Sequence, residues 1–306
     1  MDKFLVENID SVPFEELLCA ADKARREGTG RKLELCGIVN AKCGACGEDC
    51  KFCVQSAHYF SDIERYPLKS RKEIVSAAFE AKANGAVRFG IVTSGNRLSR
   101  EEIKVVAGAV RDVREKAGVT PCASLGAIDK ESFSILKDAG LTRYHHNIET
   151  SERFYPSIVS THEYAERINT VETARKMELE VCSGGIIGLG ETWQDRRDMA
   201  ALLRELEVDS VPLNFLIPMK GTPLENTKLI SAFDAARTIA LFRLMLKDKA
   251  IKVAAGRERV LGDDQGLMYK AGANGMMVGG YLTMAGRPVE DDKVLIEEVQ
   301  RSWNEE

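Results

Sequence analysis

The amino-acid sequence predicts an α/β protein, a (β/α)8 TIM-type barrel with an N-terminal helical cap. Two observations indicate this fold. Short β-rich runs alternate with amphipathic helical stretches along the chain, a pattern typical of parallel strands joined by crossover helices. The chain has 306 residues, and a complete eight-fold barrel needs about 250 residues. One domain is therefore enough to hold the whole chain.

The strands of the predicted barrel are eight short runs. We expect them near residues 34–40, 87–93, 120–125, 142–148, 179–187, 209–216, 251–256 and 274–279. Helical segments lie between the strands, the clearest at residues 70–85, 100–118, 161–177 and 231–246. Several of them are closed by a glycine in the C-cap position. Functional side chains are expected at the carboxyl ends of the strands and in the loops that follow them.

The first 32 residues are predicted to form a helical cap before the barrel. Apolar residues there recur at helical spacing, and two glycines end the pattern; these residues are Phe14, Leu17, Leu18 and Ala21, followed by Gly28 and Gly30. The remaining residues, 33–306, are expected to form the barrel and a C-terminal helix. No linker, repeat or low-complexity tract divides the sequence, which predicts a single domain over residues 1–306.

Composition and charge narrow the class of partner. The formal net charge is -4, without long runs of one sign, so no basic surface for a nucleic acid is predicted. No run of about 18 apolar residues is present, and the amino terminus mixes acidic residues into its apolar positions, unlike a signal peptide. We therefore expect a cytoplasmic protein that does not bind membranes and that acts on small molecules.

The cysteines indicate metal binding. Of eight cysteines, five crowd into residues 36–53, and three of them have the spacing C-x3-C-x2-C in a loop after the first strand; these three are Cys46, Cys50 and Cys53. Thiolates suit zinc or iron-sulfur clusters, and three closely spaced ligands leave one coordination position open. The alternative is a structural zinc site that takes Cys43 or Cys36 as its fourth ligand.

This spacing after the first strand of a β/α barrel resembles the radical S-adenosylmethionine superfamily. The resemblance implies that Cys46, Cys50 and Cys53 bind three irons of a 4Fe-4S cluster, whose fourth iron chelates the amino and carboxylate groups of S-adenosylmethionine. Phe52 fills the aromatic position found just before the last cysteine of that motif, beside the cluster and the adenine. As a lone aromatic residue, it is also compatible with a place in the core.

Two further cysteines and an arginine lie on odd-numbered predicted strands, where they can point into one barrel interior. They are Cys122 in the third strand, Cys182 in the fifth and Arg257 at the end of the seventh. Each cysteine taken alone is equally compatible with a small buried hydrophobic residue. The motifs around them extend the resemblance from about residue 34 to the carboxyl end, and they are NAKCGACGEDCKFCVQSAHY, RFGIVTSG, CASLG, RYHHNIETS, ERINTVETARK, CSGGIIGLGET, SVPLNFL, GTPL and AGRE.

Together these motifs resemble the biotin synthase family. The resemblance implies that Cys122, Cys182 and Arg257 help to hold a second, auxiliary iron-sulfur cluster that donates sulfur. The family's common form has another cysteine ligand on the second strand, where this sequence has Gly90. Cys36 is the expected replacement, and Cys43 is the weaker candidate. This rearrangement resembles a subgroup of the family that is associated with anaerobic life, and that resemblance implies a four-iron auxiliary cluster in place of the 2Fe-2S type.

The same resemblance assigns residues to the cofactor and the substrate. It implies that six residues bind S-adenosylmethionine, namely Phe52, Asn147, Glu149, Arg167, Gly184 and Gly185. It places three at dethiobiotin, namely Asn147, Asn214 and Lys42. The glycine run has the spacing GGxxGxG, which is not the dinucleotide-binding pattern GxGxxG. Asn214 has both a donor and an acceptor, which match a ureido ring, although it is also compatible with a strand-end cap.

The activity that the resemblance implies is insertion of sulfur between C6 and C9 of dethiobiotin to give biotin. A flavodoxin or ferredoxin-type protein is expected to supply electrons, and a homodimer is the family expectation. Alternatives within the superfamily are a hydrogenase-cofactor maturase and a lysine mutase-like enzyme. Outside it, a non-catalytic zinc or iron-sulfur protein and a ferredoxin-like electron carrier remain open.

Overall fold

The computed structural model describes residues 3–305, and its centre is a closed, all-parallel barrel. Its nine strand segments are β1 Glu34–Lys42, β2 Arg88–Thr93, β3 Thr120–Ser124, β4 Arg143–His145, β5 Glu180–Cys182, β6 Gly185–Ile187, β7 Ser210–Phe215, β8 Ala250–Val253 and β9 Gly275–Met277. They are hydrogen-bonded in the order β5-β4-β3-β2-β1-β9-β8-β7-β6, and pairing of β5 with β7 closes the ring. The predicted barrel is confirmed.

The fifth predicted strand, 179–187, is divided into β5 and β6. Both halves pair in parallel with β7, through Cys182 with Ser210 and through Gly185 with Leu213, so they occupy one position in the barrel. The break falls at Ser183 and Gly184, where the two chains come very close. A Cβ atom at Gly184 would lie 2.0 Å from the carbonyl oxygen of Pro212. Only glycine fits there, because the backbone of β7 passes too close for a side chain.

Helices surround the barrel. The helices among the described residues are α1 Lys3–Glu7, α2 Phe14–Thr29, α3 Arg71–Ala83, α4 Arg100–Asp112, α5 Lys130–Asp138, α6 Tyr164–Lys176, α7 Trp193–Glu205, α8 Ala232–Met245, α9 Arg257–Leu261, α10 Leu267–Lys270 and α11 Val289–Glu305. Capping boxes at Ser70, Ser99 and Thr192 begin α3, α4 and α7, because each hydroxyl accepts from a backbone N–H three residues later. These caps fix the points at which the loops after β1, β2 and β6 turn into helices.

The cap and the C-terminal helix pack on one side of the barrel. Helices α1 and α2 lie where the cap over residues 1–32 is predicted; residues 1 and 2 are outside the described part of the chain. Trp303 of α11 packs edge-on to Tyr269 and beneath the guanidinium of Arg25, which lies 4.0 Å from its ring centre. The single-domain organisation stays a prediction. In residues 3–305, no helix is long and apolar enough to cross a membrane.

Candidate active site

The three cysteines of the C-x3-C-x2-C motif lie in the loop that follows β1. Backbone hydrogen bonds fold this loop back on itself: the N–H of Cys46 donates to the carbonyl of Gln55 at 3.0 Å, and Ala57 donates to Cys46 at 2.7 Å. The N–H of Cys53 donates to the carbonyl of Cys50 at 2.9 Å. The loop therefore brings together residues that are up to eleven positions apart in the sequence, at one end of the barrel.

The segment after β4 anchors this loop from the outside. The N–H of Lys51 donates to Ile158 at 3.0 Å, and the N–H groups of Ser160 and Thr161 donate to the Asp49 carboxylate at 2.8 and 3.2 Å. Burial alone would raise the pKa of Asp49, but the bonds from Ser160 and Thr161 lower it to about 2. The carboxylate is thus ionised at neutral pH and holds the loop in place.

The three thiols suit a soft metal cluster. Burial raises the pKa of Cys50 and raises that of Cys53 to about 11, and mutual repulsion among the three cysteines adds to this. Such buried thiols do not ionise readily unless a cation accepts them as ligands. In residues 3–305, no three His, Cys, Asp or Glu side chains already form a closed metal-binding group. The donor set, three soft sulfurs on one short loop, fits a 4Fe-4S cluster.

Beside the loop lies a polar group built on β4 and α6. Arg167, on α6, donates from Nη1 to the carbonyl of Asn147 at 2.9 Å and lies 3.5 Å from the Glu149 carboxylate. Its Nε donates to the hydroxyl of Tyr155 at 2.8 Å. Burial alone would lower the pKa of Arg167, but Glu149 and Tyr155 raise it, so the guanidinium stays charged. The structure brings together Asn147, Glu149 and Arg167, as the sequence predicts.

The two glycines of the predicted cofactor site lie against this group. The N–H of Gly184 donates to Oδ1 of Asn147 at 3.1 Å. A Cβ atom at Gly185 would lie 2.1 Å from the carbonyl of Glu149, whose φ of 68° is left-handed. A non-glycine residue in that conformation carries strain, which is found chiefly at functional sites. The close approach presents the Glu149 side chain next to Arg167.

The other three predicted contact residues, Phe52, Asn214 and Lys42, lie outside the polar group around Arg167. Phe52 is half-buried and packs against the core. Asn214, on β7, donates to the carbonyl of Gly185 at 3.2 Å and accepts from the N–H of Ala255 at 3.2 Å. It bridges β6 to the residue after β8 at the carboxyl end of the barrel. Lys42 ends β1, where its ammonium pairs with Glu102 at 2.7 Å.

A second group of thiols occupies the barrel interior. Strand register places Cys36 beside Arg88, Gly90 beside Cys122, and Cys182 beside His145. Cys36 interacts electrostatically with both Cys182 and Cys122. The side-chain ammonium of Lys252, on β8, donates from Nζ to the Cys36 sulfur at 3.2 Å. The three predicted thiols therefore lie near one another, and Cys36 lies on β1, the strand next to β2, where Gly90 stands in place of a cysteine.

The thiols of this group differ in acidity. Burial alone would raise the pKa of Cys182, but Lys252 and His145 lower it to about 6, so this sulfur is mainly a thiolate at neutral pH. Burial and the neighbouring Cys36 raise the pKa of Cys122 to about 11. Burial likewise raises the pKa of Cys36. Three sulfurs beside fixed positive charge fit the ligand set of an iron-sulfur cluster, which binds cysteines as thiolates.

Below the thiols, at the amino-terminal end of the barrel, a buried carboxylate gathers three basic groups. Glu34 lies 2.5 Å from Lys252, 2.7 Å from Arg143 and 3.1 Å from Arg88. Burial alone would raise the pKa of Glu34, but these partners lower it, so it is ionised. Glu180 adds a second carboxylate, 2.8 Å from both arginines. We call these five residues the ionic floor.

Arg257 is the prediction that the structure places differently. Its guanidinium donates to both oxygens of Asp292, at 2.8 and 2.7 Å, and to Gln265 at 2.8 Å. It begins α9 rather than lying within a barrel strand, because Gly256, with φ of 89°, turns the chain. The structure therefore pairs Arg257 with α11 and not with Cys122 and Cys182. The basic groups that interact with the interior thiols are Lys252, Arg143 and Arg88.

Cys43 also stands apart from the thiol groups. It is buried, and its backbone pairs with Tyr66 in a short antiparallel bridge. Burial raises its pKa, and its other electrostatic neighbours are Asn40, Glu64 and Lys69. None of these is a cysteine. Of the two candidates for the ligand missing at Gly90, Cys36 is the one that the structure brings to Cys122 and Cys182.

Sequence reasoning placed Arg88 beside the second cluster, but it missed the other four members of the ionic floor, Glu34, Arg143, Glu180 and Lys252. The signal was present, because Glu34, Arg143 and Lys252 are charged residues inside short β-rich runs (LELCG, LTRYH and AIKVA). A charge at such a position must either face solvent or be paired in the interior. Residues two positions apart on a strand point to the same face. Glu34 is two residues from Cys36, which is predicted to face the interior, so Glu34 is expected to face the interior as well.

Comparisons with known families agree with this geometry. The profile of the Radical SAM superfamily matches residues 42–203, which include the cysteine loop and Arg167. The profile of the Biotin and Thiamin Synthesis associated domain matches residues 212–301, which include Asn214 and Lys252. The two profiles together span most of the barrel.

Full-length relatives are similar over nearly the whole chain. A biotin synthase from Thermotoga petrophila is 50% identical over 293 residues, which cover 95% of this chain and 97% of the relative. A biotin synthase from Thermodesulfovibrio yellowstonii is 46% identical, with 96% of this chain and 92% of the relative covered. Identity of this extent shows a common family.

Solved structures show the same fold at lower identity. The crystal structure of methylornithine synthase superposes with a TM-score of 0.82 at 21% identity, covering 97% of this chain and 91% of that one. The FeFe-hydrogenase maturase from Carboxydothermus hydrogenoformans superposes with a TM-score of 0.77 at 17% identity, covering 96% and 76%. These matches show the barrel fold, and the chemistry must come from the site.

Proposed function

Because this chain belongs to the biotin synthase family of radical S-adenosylmethionine enzymes, we propose that it inserts sulfur between C6 and C9 of dethiobiotin to give biotin. The observation that carries the proposal is the second thiol group in the barrel interior. Cys36, Cys122 and Cys182 meet there beside Lys252, whose Nζ lies 3.2 Å from the Cys36 sulfur. Sulfur insertion requires a sulfur donor inside the barrel, and a single-cluster enzyme has no use for this group.

The loop after β1 is the proposed site of the first cluster, with Cys46, Cys50 and Cys53 as its ligands. When bound, this 4Fe-4S cluster supplies the electron that cleaves S-adenosylmethionine to a carbon radical. Arg167 supplies a charged, preoriented donor for the carboxylate of that molecule. The structure supports this role because three of its neighbours already fix the guanidinium.

The other proposed contacts with S-adenosylmethionine line the same end of the barrel. Asn147 and Glu149 present an amide and a carboxylate, which suit the hydroxyl and amino groups of the molecule. Gly184 and Gly185 are further proposed contacts, because each lets a neighbouring backbone, that of Pro212 or of Glu149, pass close beside the site. Phe52 provides an aromatic face on the cysteine loop.

Asn147 and Asn214 are the proposed contacts of dethiobiotin. Each amide has donors and an acceptor, and the ureido ring of the substrate offers both. Asn214 is held by bonds to Gly185 and Ala255, so it can receive the ring without reorganising its own strand. Lys42 is a proposed contact of the dethiobiotin carboxylate. In binding it, the ammonium of Lys42 would exchange its present partner, Glu102, for the substrate.

The auxiliary cluster is proposed to lie between the two ends of the barrel. Its ligands would be Cys36, Cys122 and Cys182, and the four-iron type is favoured over 2Fe-2S because the second-strand position is Gly90. Lys252 takes the basic place expected of Arg257. Positive charge beside the cluster offsets the negative charge of its thiolates and sulfides.

Several properties of the working enzyme follow as proposals from the family. A flavodoxin or ferredoxin-type protein is the proposed electron donor, and a homodimer is the proposed assembly. A single domain over residues 1–306 is the proposed organisation. All eight cysteines are unpaired, which favours a reducing compartment such as the cytoplasm.

The proposal is tested by product analysis under anaerobic conditions. Reconstituted protein is supplied with dithionite, S-adenosylmethionine and dethiobiotin, and biotin and 5′-deoxyadenosine are quantified by mass spectrometry. We expect biotin together with 5′-deoxyadenosine. Formation of 5′-deoxyadenosine from S-adenosylmethionine without any biotin would instead favour another radical enzyme of the same branch, such as a hydrogenase-cofactor maturase or a lysine mutase-like enzyme. Absence of both products, with zinc in place of iron, would favour a non-catalytic protein.

A further inference from the structure

A buried histidine connects the cysteine loop to Arg167. Nδ1 of His162 lies 2.8 Å from the carboxylate of Glu48, which stands between Cys46 and Cys50 in the loop. On the other side of the ring, Nε2 lies 3.1 Å from Nη2 of Arg167. The side chains of His162, Glu48 and Arg167 are 5%, 19% and 11% exposed. The three form a continuous chain that is largely closed to solvent.

The partners of His162 fix its tautomer. A guanidinium can only donate hydrogen bonds, so Nε2 of His162 must accept from Arg167. The ring proton therefore belongs to Nδ1, where it donates to Glu48. A carboxylate bound to one nitrogen of a histidine commonly fixes which nitrogen is the acceptor. Glu48 thus determines that the ring presents a lone pair, and not a proton, to Arg167.

The contact at Nη2 completes the orientation of the guanidinium. Tyr155 holds Nε and Asn147 holds Nη1, and the bond from Nη2 to His162 is the third that holds the guanidinium of Arg167 in place. The ring of Tyr155 also packs edge-on to that of His162, with 5.9 Å between ring centres. His162 therefore contacts both Arg167 and Tyr155, which itself holds Arg167. Through Glu48, His162 also connects these two residues to the loop that carries the cluster ligands.

We propose that His162 is a positioning residue for S-adenosylmethionine binding, which aims the Arg167 guanidinium at the substrate carboxylate and keeps it in register with the cysteine loop through Glu48. This inference rests on the proposed function, because it takes Arg167 to bind that carboxylate. His162 itself touches no substrate. Its effect should appear in the affinity for S-adenosylmethionine and not in the iron content of the protein.

The test compares wild type with His162→Phe, His162→Gln and the control His58→Phe. His58 also contacts the cysteine loop, through the carbonyl of Gly47 at 2.9 Å, but it is exposed. Glutamine can accept from Arg167 and donate to Glu48, whereas phenylalanine can do neither. Each reconstituted protein is measured for iron per chain, for S-adenosylmethionine affinity by calorimetry, and for the change that S-adenosylmethionine causes in the electron paramagnetic resonance spectrum of the reduced cluster.

We expect His162→Phe to keep its iron and bind S-adenosylmethionine about tenfold more weakly, the effect of losing one hydrogen bond to a charged group. His162→Gln should recover most of the affinity, and His58→Phe should match wild type. Equal affinity of His162→Phe and wild type would overturn the inference, as would equal losses in the phenylalanine and glutamine variants. If His162→Phe fails to hold iron, Glu48→Ala replaces it, and unchanged affinity there would have the same consequence.

The same measurements distinguish a failure of the proposed S-adenosylmethionine chemistry from a failure of the proposed role of His162. If wild type itself shows neither calorimetric binding nor a spectral change with S-adenosylmethionine, the proposed function fails, and the role of His162 fails with it. If wild type binds and its spectrum changes while His162→Phe behaves identically, only the role of His162 is lost.

Discussion

Cys36→Ala is expected to abolish biotin formation while cleavage of S-adenosylmethionine persists. Cys36 lies in the barrel interior with Cys122 and Cys182, and it is the proposed replacement for the thiol that is absent at Gly90. The first set of cysteines lies in a separate loop, so radical generation does not depend on Cys36. Loss of outer partners of a metal site alone costs roughly 10- to 100-fold in activity, so loss of a ligand should lower biotin formation by about 100-fold or more. Mass spectrometry of biotin and 5′-deoxyadenosine in one reaction measures both quantities.

Cys43→Ala is the matched control for this prediction. Cys43 is also buried and lies only seven positions away in the sequence, but its neighbours are Tyr66 and Asn40, not the interior thiols. We expect this variant to form biotin at a rate close to that of wild type. The opposite pattern, in which Cys43→Ala is inactive and Cys36→Ala is active, would move the missing ligand to Cys43.

Glu34→Gln is expected to cause the largest loss of stability in the barrel interior. Glu34 is the common acceptor of Lys252, Arg143 and Arg88, and its side chain is only 5% exposed. Breaking a buried ion pair by removing one partner costs about 3–5 kcal/mol, because the remaining charge has no counterion. Chemical denaturation of the metal-free protein under reducing conditions should show a fall of that order in the free energy of unfolding.

Glu180→Gln provides the comparison for Glu34→Gln. Glu180 binds the same two arginines, but its side chain is 43% exposed, so water can replace the lost carboxylate. We expect a change of about 1 kcal/mol or less. Adding Lys252→Met to Glu34→Gln should recover part of the lost stability, since one uncompensated charge is removed. Equal losses in Glu34→Gln and Glu180→Gln would show that the ionic floor is not buried as described.

The fold could be predicted from the sequence because its signals are local. Each strand is a short apolar run, and helices such as α3 and α4 begin at Ser70 and Ser99 with a glutamate three residues later. The cysteine loop was also predictable, since spacing along the chain brings Cys46, Cys50 and Cys53 together. The division of the fifth strand was not, because it depends on the distance between Gly184 and the backbone of Pro212.

The auxiliary site shows where sequence reasoning stops. Cys122 and Cys182 can be predicted because cysteines are rare and their strands can be counted, whereas Cys36 depends on the family resemblance, which expects a cysteine where Gly90 stands. Arg257 was placed with them because it follows the seventh predicted strand closely. The strand ends earlier, at Val253, and Gly256 turns the chain, so the interior position falls to Lys252. A shift of register between strand and loop cannot be read from composition or spacing.

The most direct test of a second cluster in the barrel is anaerobic iron and sulfide quantification with Mössbauer spectra, on wild type and Cys36→Ala. We expect wild type to hold two distinct clusters and Cys36→Ala to keep only the cluster of the cysteine loop. A single cluster in wild type would contradict sulfur insertion by an auxiliary cluster and would leave a one-cluster radical enzyme in its place.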